Sequence, residues 1–437
     1  IYGYTYGIVA VDEAAKLRNL SKMWNAMSEA LHRAHCPIAM TATPMHNSPL
    51  DLLNIGMALG VPECDDNAYA TDIRREIGRT SRRATLEFNK ASKEKDFVDN
   101  LVSGQVDLPA KKEQLHAMAK HIKTLRTFFQ GYIIRRTLDA LDFEGKPISG
   151  LAPFLSRTIL LTPLEAEKKA LAGSAAEISL VMGSGPPGTL GCALLTTLGP
   201  CARTSNITDL ATQHFYMDHR RTHLNHKLRE QDDWKPEDME DYLANKSAKL
   251  DALVRILQWH LGEDNRPPLK LDDSENLVPD AEYPMPTPSP NAGPDRAVVY
   301  AAFPMNHAMI RQVLSLHGIE SIEVNGRKGG SLREERFDMF KRSNRDQPRT
   351  LVMSNVGMMG LNLSEANILI CLDQLWSYQE YLQLVGRLWR FPQPKPVFVY
   401  SLCLKDPTDM TLTVMSFTKA ELLSAFTEAS EDTRKCT

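Results

Sequence analysis

Apolar and polar positions change rhythm several times along the 437-residue chain. Ile8 to Val11 is a short apolar run that stops at Asp12-Glu13, and Ile38 to Met40 is another that stops at Thr41. Between them Met23, Met27, Ala30 and Leu31 recur at helical spacing, which predicts a helix from Ser21 to Arg33. Strand, helix and strand in so short a span predict a parallel-sheet unit, with strands buried on both faces. From about Asp65 to Lys146 the chain is charged and helix-like, and the next strand signal is Ile159-Leu-Leu161. The pattern from Ala170 to Asp241 is irregular and is broken by glycines and prolines between Gly183 and Gly188. Leu250 to Leu261 reads as an amphipathic helix.

A Pro-rich, acidic stretch follows and predicts a mobile insertion without a core of its own. Beyond it the alternation returns. Ala297 to Ala301, Ser321 to Val324, Thr350 to Met353, Ile368 to Leu372 and Val397 to Leu402 are strand candidates. Helical stretches intervene at Asn306 to His317, Ser331 to Arg342 and Gln379 to Arg390. Five strands alternating with helices predict a parallel α/β sheet packed on both faces.

Composition adds bounds rather than identity. Hydrophobic residues at 43% and charged residues at 24% fit a globular protein with room for two or three domains. No run is long and apolar enough to suggest a membrane-spanning helix, and the start lacks the layout of a secretory signal. The chain opens at Ile1, a few residues before a strand, which predicts a fragment of a longer protein. Seven scattered cysteines without a C-x-x-C pair point to a reducing compartment. A net charge of -3 neither favours nor excludes nucleic acid.

The candidate chemistry sits at strand ends, where open α/β sheets place ligands. Asp12-Glu13 follows the first strand. In a nucleoside triphosphatase the first acid of such a pair holds Mg²⁺ through water, and the second polarises the attacking water. As a bare pair, it also suits helix capping. Thr41 and Thr43 set hydroxyls after the next strand, before Pro44 redirects the chain. Gln383, Arg387 and Arg390 are spaced four and three apart, so a continuous helix puts them on one face. Two arginine forks there suit the charge that develops on a transferring phosphoryl group. Ser354, Gly357, Gly360 and Asn362 follow the strand Thr350 to Met353, where glycines allow close backbone approach to phosphate.

Taken in order, Val11 to Asn19, Thr41 to Asn47, Ser354 to Leu363 and Gln383 to Gln393 resemble motifs II, III, V and VI of helicase superfamily two. The branch they are most similar to is the SWI/SNF type. Tyr132 to Arg136, Gly326 to Phe340 with Arg333, and Asp373 to Trp376 also resemble elements of that branch. The resemblance implies an α/β fold of two RecA-like P-loop NTPase lobes with parallel sheets, the first lobe incomplete. It implies ATP with Mg²⁺ as cofactors, with Asp12 holding the metal and Glu13 activating water. Arg387 and Arg390 become arginine fingers supported by Gln383. Thr41 and Thr43 link nucleotide to DNA, and Gly357 and Gly360 join the nucleotide side. Ser354, Asn362 and Arg333 meet nucleic acid. The implied partners are double-stranded DNA or nucleosomes and chromatin-associated proteins, in the nucleus, with no membrane. The implied work is ATP-dependent translocation in chromatin remodelling or DNA repair.

Four departures keep a second class open, a motor-like scaffold that binds DNA or protein without hydrolysis. Ala15 stands at the family's histidine, and Trp389 and Pro392 replace its usual histidine and glycine. The motif V loop is one residue short. No G-x-x-x-x-G-K-[ST] precedes Asp12. Gly183 to Thr189 imitates that loop, but Thr189-Leu190 stands where Lys-Ser/Thr is required and Pro186 and Pro187 lack backbone donors. It reads as a flexible loop. His214, His219, His223 and His226 read as a polar helix rather than metal ligands. Arg74, Arg75, Arg79, Arg82 and Arg83 form a basic cluster, read equally as a solvated helix or a contact for DNA phosphates. The expected domains are a first lobe over 1–165, an irregular region over 166–245, a second lobe over 246–410 with a disordered insertion at 264–295, and a tail over 411–437.

Overall fold

The structure is a computed structural model. It describes residues 3–41, 44–45, 48–91, 109–134, 141–145, 150–171, 224–229, 234–287, 292–324, 330–354, 361–375, 378–405 and 409. The chain divides into two compact units, one built mainly from Ile1–Thr137 and the other from Leu138–Leu375 and Glu380–Thr413.

In the first unit, strand β1 (Tyr6–Val11) pairs in parallel with β2 (Ala34–Ala39), Val11 opposite Ala39. Helix α1 (Lys22–His32) makes the crossover, started by Ser21, whose hydroxyl accepts the Trp24 N–H at 3.2 Å. Helix α2 (Pro49–Leu59) opens with a capping box between Ser48 and Asp51 and ends at Gly60 with φ 73°. Val9, Val11 and Ala39 pack with Leu17, Leu31, Ile55 and Ala58 on one side of the pair. The other side carries Ile8, 66% exposed, and Ile38, 37% exposed. Burial on both faces is therefore corrected for these strands: among the described residues of this unit, α1, α2 and the 3-10 turn Ala14–Arg18 cover one face only.

Two long helices, α3 (Asn67–Ala91) and α4 (Pro109–Phe128), supply the rest of this unit. Ile73, Ile77, Ile122 and Leu125 interleave with Leu52 and Leu53 of α2. Gly56 permits the close approach there, since a Cβ would lie 2.4 Å from the Cys64 sulfur and 3.0 Å from the Phe129 ring. Burial, with Glu63 and Asp65 close by, pushes the Cys64 thiol up to about 11.

The second unit holds a six-stranded parallel sheet in the order β3-β10-β9-β6-β8-β7. Its strands are β3 (Phe154–Leu161), β6 (Ala297–Tyr300), β7 (Ser321–Val324), β8 (Thr350–Met353), β9 (Ile368–Cys371) and β10 (Val397–Leu404). Alternate residues enter opposite cores. Ala297, Val299, Val352, Ile368, Ile370, Phe398 and Tyr400 meet helices α6 (Ala248–Gly262) and α7 (His307–Leu316). Val298, Tyr300, Leu351, Met353, Leu369 and Val399 meet α8 (Gly330–Arg342) and α9 (Tyr378–Leu388). A short helix, α5 (Met239–Ala244), precedes α6 and buries Tyr242. Double-sided burial explains why β6, β8, β9 and β10 read as largely apolar runs, while edge strand β7 alternates, with Ile322 and Val324 inward.

Two boundaries differ from expectation. Strand β3 pairs with β10 over eight residues, from Phe154–Val397 to Leu161–Leu404, so this segment lies in the second sheet rather than in a first lobe ending at 165. The stretch at 264–295, expected to be disordered, contains an antiparallel hairpin of β4 (Leu269–Leu271) and β5 (Leu277–Pro279). Leu269 and Leu277 are buried in the main core, and Arg157 of β3 pairs with Asp280, which Lys270 also meets at 3.0 Å. Prolines remove donors from this segment, but long-range burial and ion pairing hold it in place. Among the described residues no helix is long and apolar enough to cross a membrane.

Candidate functional site

The first unit positions the acidic pair through its paired strand ends. Met40 N–H donates to the Val11 carbonyl at 2.9 Å, and the Met40 carbonyl accepts the Ala14 N–H at 3.0 Å. Asp12-Glu13 and Thr41 consequently leave the sheet side by side. The turn after Glu13 is held from behind: Asn54 donates to the Arg18 carbonyl at 2.5 Å, and the Trp24 indole donates to the Asn54 carbonyl at 2.9 Å. Asp12 is exposed, and its Oδ1 accepts the Glu13 N–H at 2.8 Å. Glu13 adopts a left-handed backbone, φ 52°, which is uncommon for a residue with a Cβ and recurs where strain serves a site. Ala15 lies buried in the following turn. Thr43 lies outside the described residues.

The second unit carries the arginines. Leu384, Val385 and Leu388 bury one face of α9 in the sheet's core, while Gln383 is exposed and Arg387 is half-buried. Arg387 donates from Nη1 to the Leu361 carbonyl at 3.4 Å, and its own carbonyl accepts the Leu363 N–H at 2.9 Å. Its Nε is buried without a partner among the described residues. The expectation that Arg390 shares this helix face is corrected. The helix stops at Leu388, and Arg390 lies exposed in the bend that follows. Pro392 keeps the helix from running on, since it offers no N–H to the Leu388 carbonyl and biases Phe391 away from helical dihedrals. Trp389 turns inward instead, stacking on Phe154 at 4.7 Å between centroids and donating to the Ala152 carbonyl at 2.8 Å.

Ser354 follows β8 and is buried, its hydroxyl without a partner among the described residues. Asn362 is exposed and accepts the Ser364 N–H at 3.2 Å. Arg333 sits half-exposed on α8. Gly357 and Gly360 lie outside the described residues, as do Arg135, Arg136, the Gly183–Thr189 stretch, His214, His219 and His223. Asp373, just past β9, accepts the Ala302 N–H at 2.8 Å and so fixes the turn after β6.

Sequence reading missed Lys249. It is 1% exposed on α6, bonded to Asp409 at 2.7 Å and to the Leu372 carbonyl at 2.8 Å, beside Asp373 in sequence. A lysine inside an apolar helical stripe was the available signal. A second buried knot joins Asp295 to Lys395 at 2.5 Å and to the Asn367 amide at 3.1 Å, just before β6. Among the described residues, no group of three or more His, Cys, Asp or Glu side chains suits a resident metal ion.

Residues 291–392 match the family described as the helicase conserved C-terminal domain. The stretch spans β6 to the end of the arginine helix. The chain is 30% identical over 106 residues to Protein CHROMATIN REMODELING 20 of Arabidopsis thaliana, covering 24% of this chain and 7% of that protein. It is 25% identical over 142 residues to DNA repair protein RAD5 of Cryptococcus neoformans, covering 32% of this chain and 12% of that one. Over this stretch the chain is similar to helicase C-terminal domains and to these two proteins, named for chromatin remodelling and DNA repair. The chain spans only a small part of the length of these two relatives. Among solved structures, the C-terminal part of the Fun30 ATPase domain is similar at 15% identity and a TM-score of 0.39, covering 64% of this chain and 99% of that one. The α/β assignment rests on the strand order described above.

Proposed function

We propose that this chain is part of an ATP-dependent translocase acting on double-stranded DNA, in chromatin remodelling or DNA repair in the nucleus. The observation that carries the reading is the acidic pair at the end of β1, with Glu13 in a strained left-handed conformation and Thr41 leaving the neighbouring strand end. A residue that only caps a helix has no need of that backbone cost; here Glu13 makes no side-chain cap.

Asp12 fits a magnesium ion held with a nucleotide. One carboxylate oxygen accepts a backbone N–H, and the other has no partner among the described residues. Magnesium takes one or two protein carboxylates and fills its shell with water and phosphate oxygens. Bound there, it would neutralise charge on the transferring phosphoryl group. Glu13 orients and polarises water. Arg387, with its unpartnered Nε, and exposed Arg390 offer guanidinium charge to phosphate oxygens, with Gln383 one helical turn before Arg387. Thr41 and Thr43 couple nucleotide to DNA, Gly357 and Gly360 line the nucleotide side, and Ser354, Asn362 and Arg333 contact the DNA backbone. The proposed organisation is a first lobe, an intervening region and a second lobe bearing the helicase C-terminal domain.

A non-hydrolysing scaffold is the second reading, favoured by one feature: Ala15 supplies only a methyl group where the family's histidine would bridge. Duplex-stimulated ATP hydrolysis by this chain, measured beside Arg390→Ala, separates the two. Hydrolysis that DNA stimulates and the substitution abolishes would establish the motor, even though no phosphate loop precedes Asp12. Duplex binding with no hydrolysis would favour the scaffold.

A further inference from the structure

We propose that helices α3 and α4 form a binding surface for the phosphate backbone of duplex DNA, separate from the helicase C-terminal domain and independent of nucleotide. The two helices carry eleven Lys and Arg against four Asp and Glu, in a chain whose net charge is -3. Such segregation of positive charge is the electrostatic footprint of a nucleic-acid contact.

Pairing sharpens the asymmetry. Glu76 is occupied by Lys120 at 3.2 Å and His121 at 3.0 Å, which together hold its carboxyl below the usual range, Lys120 most. Glu113 is occupied by Arg83 at 2.8 Å. The acids of the cleft are thus mostly spent on α3–α4 contacts, and Asp72 remains exposed. Arg74, Arg75 and Arg79 are exposed and have no ion-pair or hydrogen-bond partner among the described residues. Arg82 is exposed beside them and donates only to its own helix, to the Gly78 carbonyl at 3.0 Å. Asp72 and Glu76 stand three residues before Arg75 and Arg79, yet neither is ion-paired with them among the described residues, Glu76 being turned to α4 instead.

At 100° per residue these four arginines fall within about 140° of the helix circumference, along roughly 12 Å of axis. A duplex presents one charge about every 1.7 Å of axis, so several phosphates lie within that reach. Guanidinium forks match phosphate oxygens and stay charged at any relevant pH. Arg75 and Arg79 also line the α3–α4 cleft with His116 and Lys120, where two of its three carboxylates, Glu76 and Glu113, are paired and Asp72, among the described residues, is not. Four arginines and no lysine from residue 74 to 82 favour a regular phosphate array over an irregular acidic peptide.

The test is fluorescence anisotropy of the full chain with a labelled duplex, without ATP, across a salt series from about 50 to 200 mM. The variant is Arg74→Ala/Arg75→Ala/Arg79→Ala, whose fold is checked by its thermal melt. The expected result is at least tenfold weaker binding in the variant. The slope of log affinity against log salt should also become shallower by about 2 to 3, near 0.9 per lost contact. Equal affinity and slope in variant and wild type would overturn the proposal, as would a wild-type chain that binds no duplex. Poly-glutamate bound as tightly as DNA, and weakened equally by the variant, would make the partner an acidic polypeptide and overturn it too. Failure of ATP hydrolysis leaves this result untouched, because no nucleotide is present.

Discussion

His260 and Tyr400 meet at 2.8 Å in the core between α6 and β10, and the Tyr400 oxygen also accepts the Leu269 N–H at 2.9 Å. That backbone donor can serve the oxygen while the hydroxyl proton serves the imidazole Nε2. A neutral imidazole therefore anchors the hairpin to the sheet. Burial, and secondarily Arg266, pull the His260 pKa down to about 3. The folded form stays neutral while the unfolded chain takes a proton below about 6.5, so this contribution is complete above 6.5 and is lost as pH falls toward 3. Thermal melts should fall over that window. Tyr400→Phe should cost about 1–3 kcal/mol at neutral pH by leaving two buried groups unpaired. Melting points of the variant and wild type that coincide at pH 7 would remove the anchor from the account.

Lys249 gives a second measurable outcome. Both it and Asp409 are essentially without solvent, and Asp409 also accepts the Leu404 N–H at 3.1 Å. Lys249→Met should destabilise the second unit by about 3–5 kcal/mol, because it strands a buried carboxylate. Adding Asp409→Leu should restore part of the loss, read from urea denaturation. A single variant within about 1 kcal/mol of wild type would mean that the pair contributes little.

How much of this was legible depended on where each segment's partners lie. Strands β6, β8, β9 and β10 read clearly because both faces enter apolar cores, whereas edge strand β7 carries the signal only at Ile322 and Val324. Strand β3 read as a strand, but its neighbour β10 follows some 240 residues later, and nothing local assigns it to that sheet. The hairpin was masked by prolines, while its retaining partners, Arg157 and Lys405, sit far away in sequence. In the candidate site, Asp12, Glu13, Thr41, Gln383 and Arg387 fell on the strand ends and helix that spacing indicated. Arg390 did not, because spacing assumes a continuing helix and Pro392 ends it. The left-handed backbone of Glu13 has no sequence signal at all.

The two arginines should separate by stability as well as chemistry. Arg387 is tethered to Leu361 and packs beside the core, so Arg387→Ala should cost about 1–2 kcal/mol. Arg390 is exposed past the helix end, and Arg390→Ala should stay within about 0.5 kcal/mol of wild type. Differential scanning calorimetry of both variants decides this. A large loss in Arg390→Ala would show that its side chain is structural, and its loss of hydrolysis would then say nothing about phosphate.

The hairpin offers the sharpest contrast between a mobile insertion and an ordered one. Arg157 and Lys270 hold the Asp280 carboxyl down at about 2. A carboxylate whose folded pKa lies below its unfolded value stabilises above the unfolded value, near 3.8, and loses that effect as pH falls toward 2. Asp280→Asn removes the charge at every pH while keeping the shape. In native-state hydrogen exchange at pH 7, the Leu269 amide, bonded to Tyr400, and the Lys270 and Val278 amides of the hairpin's hydrogen-bonded pair should be protected in wild type and should exchange at least several-fold faster in the variant. Amides of β6 and β9, held in the sheet's centre, should change little. Unprotected hairpin amides in the wild-type chain would return this segment to the mobile state that its prolines suggest.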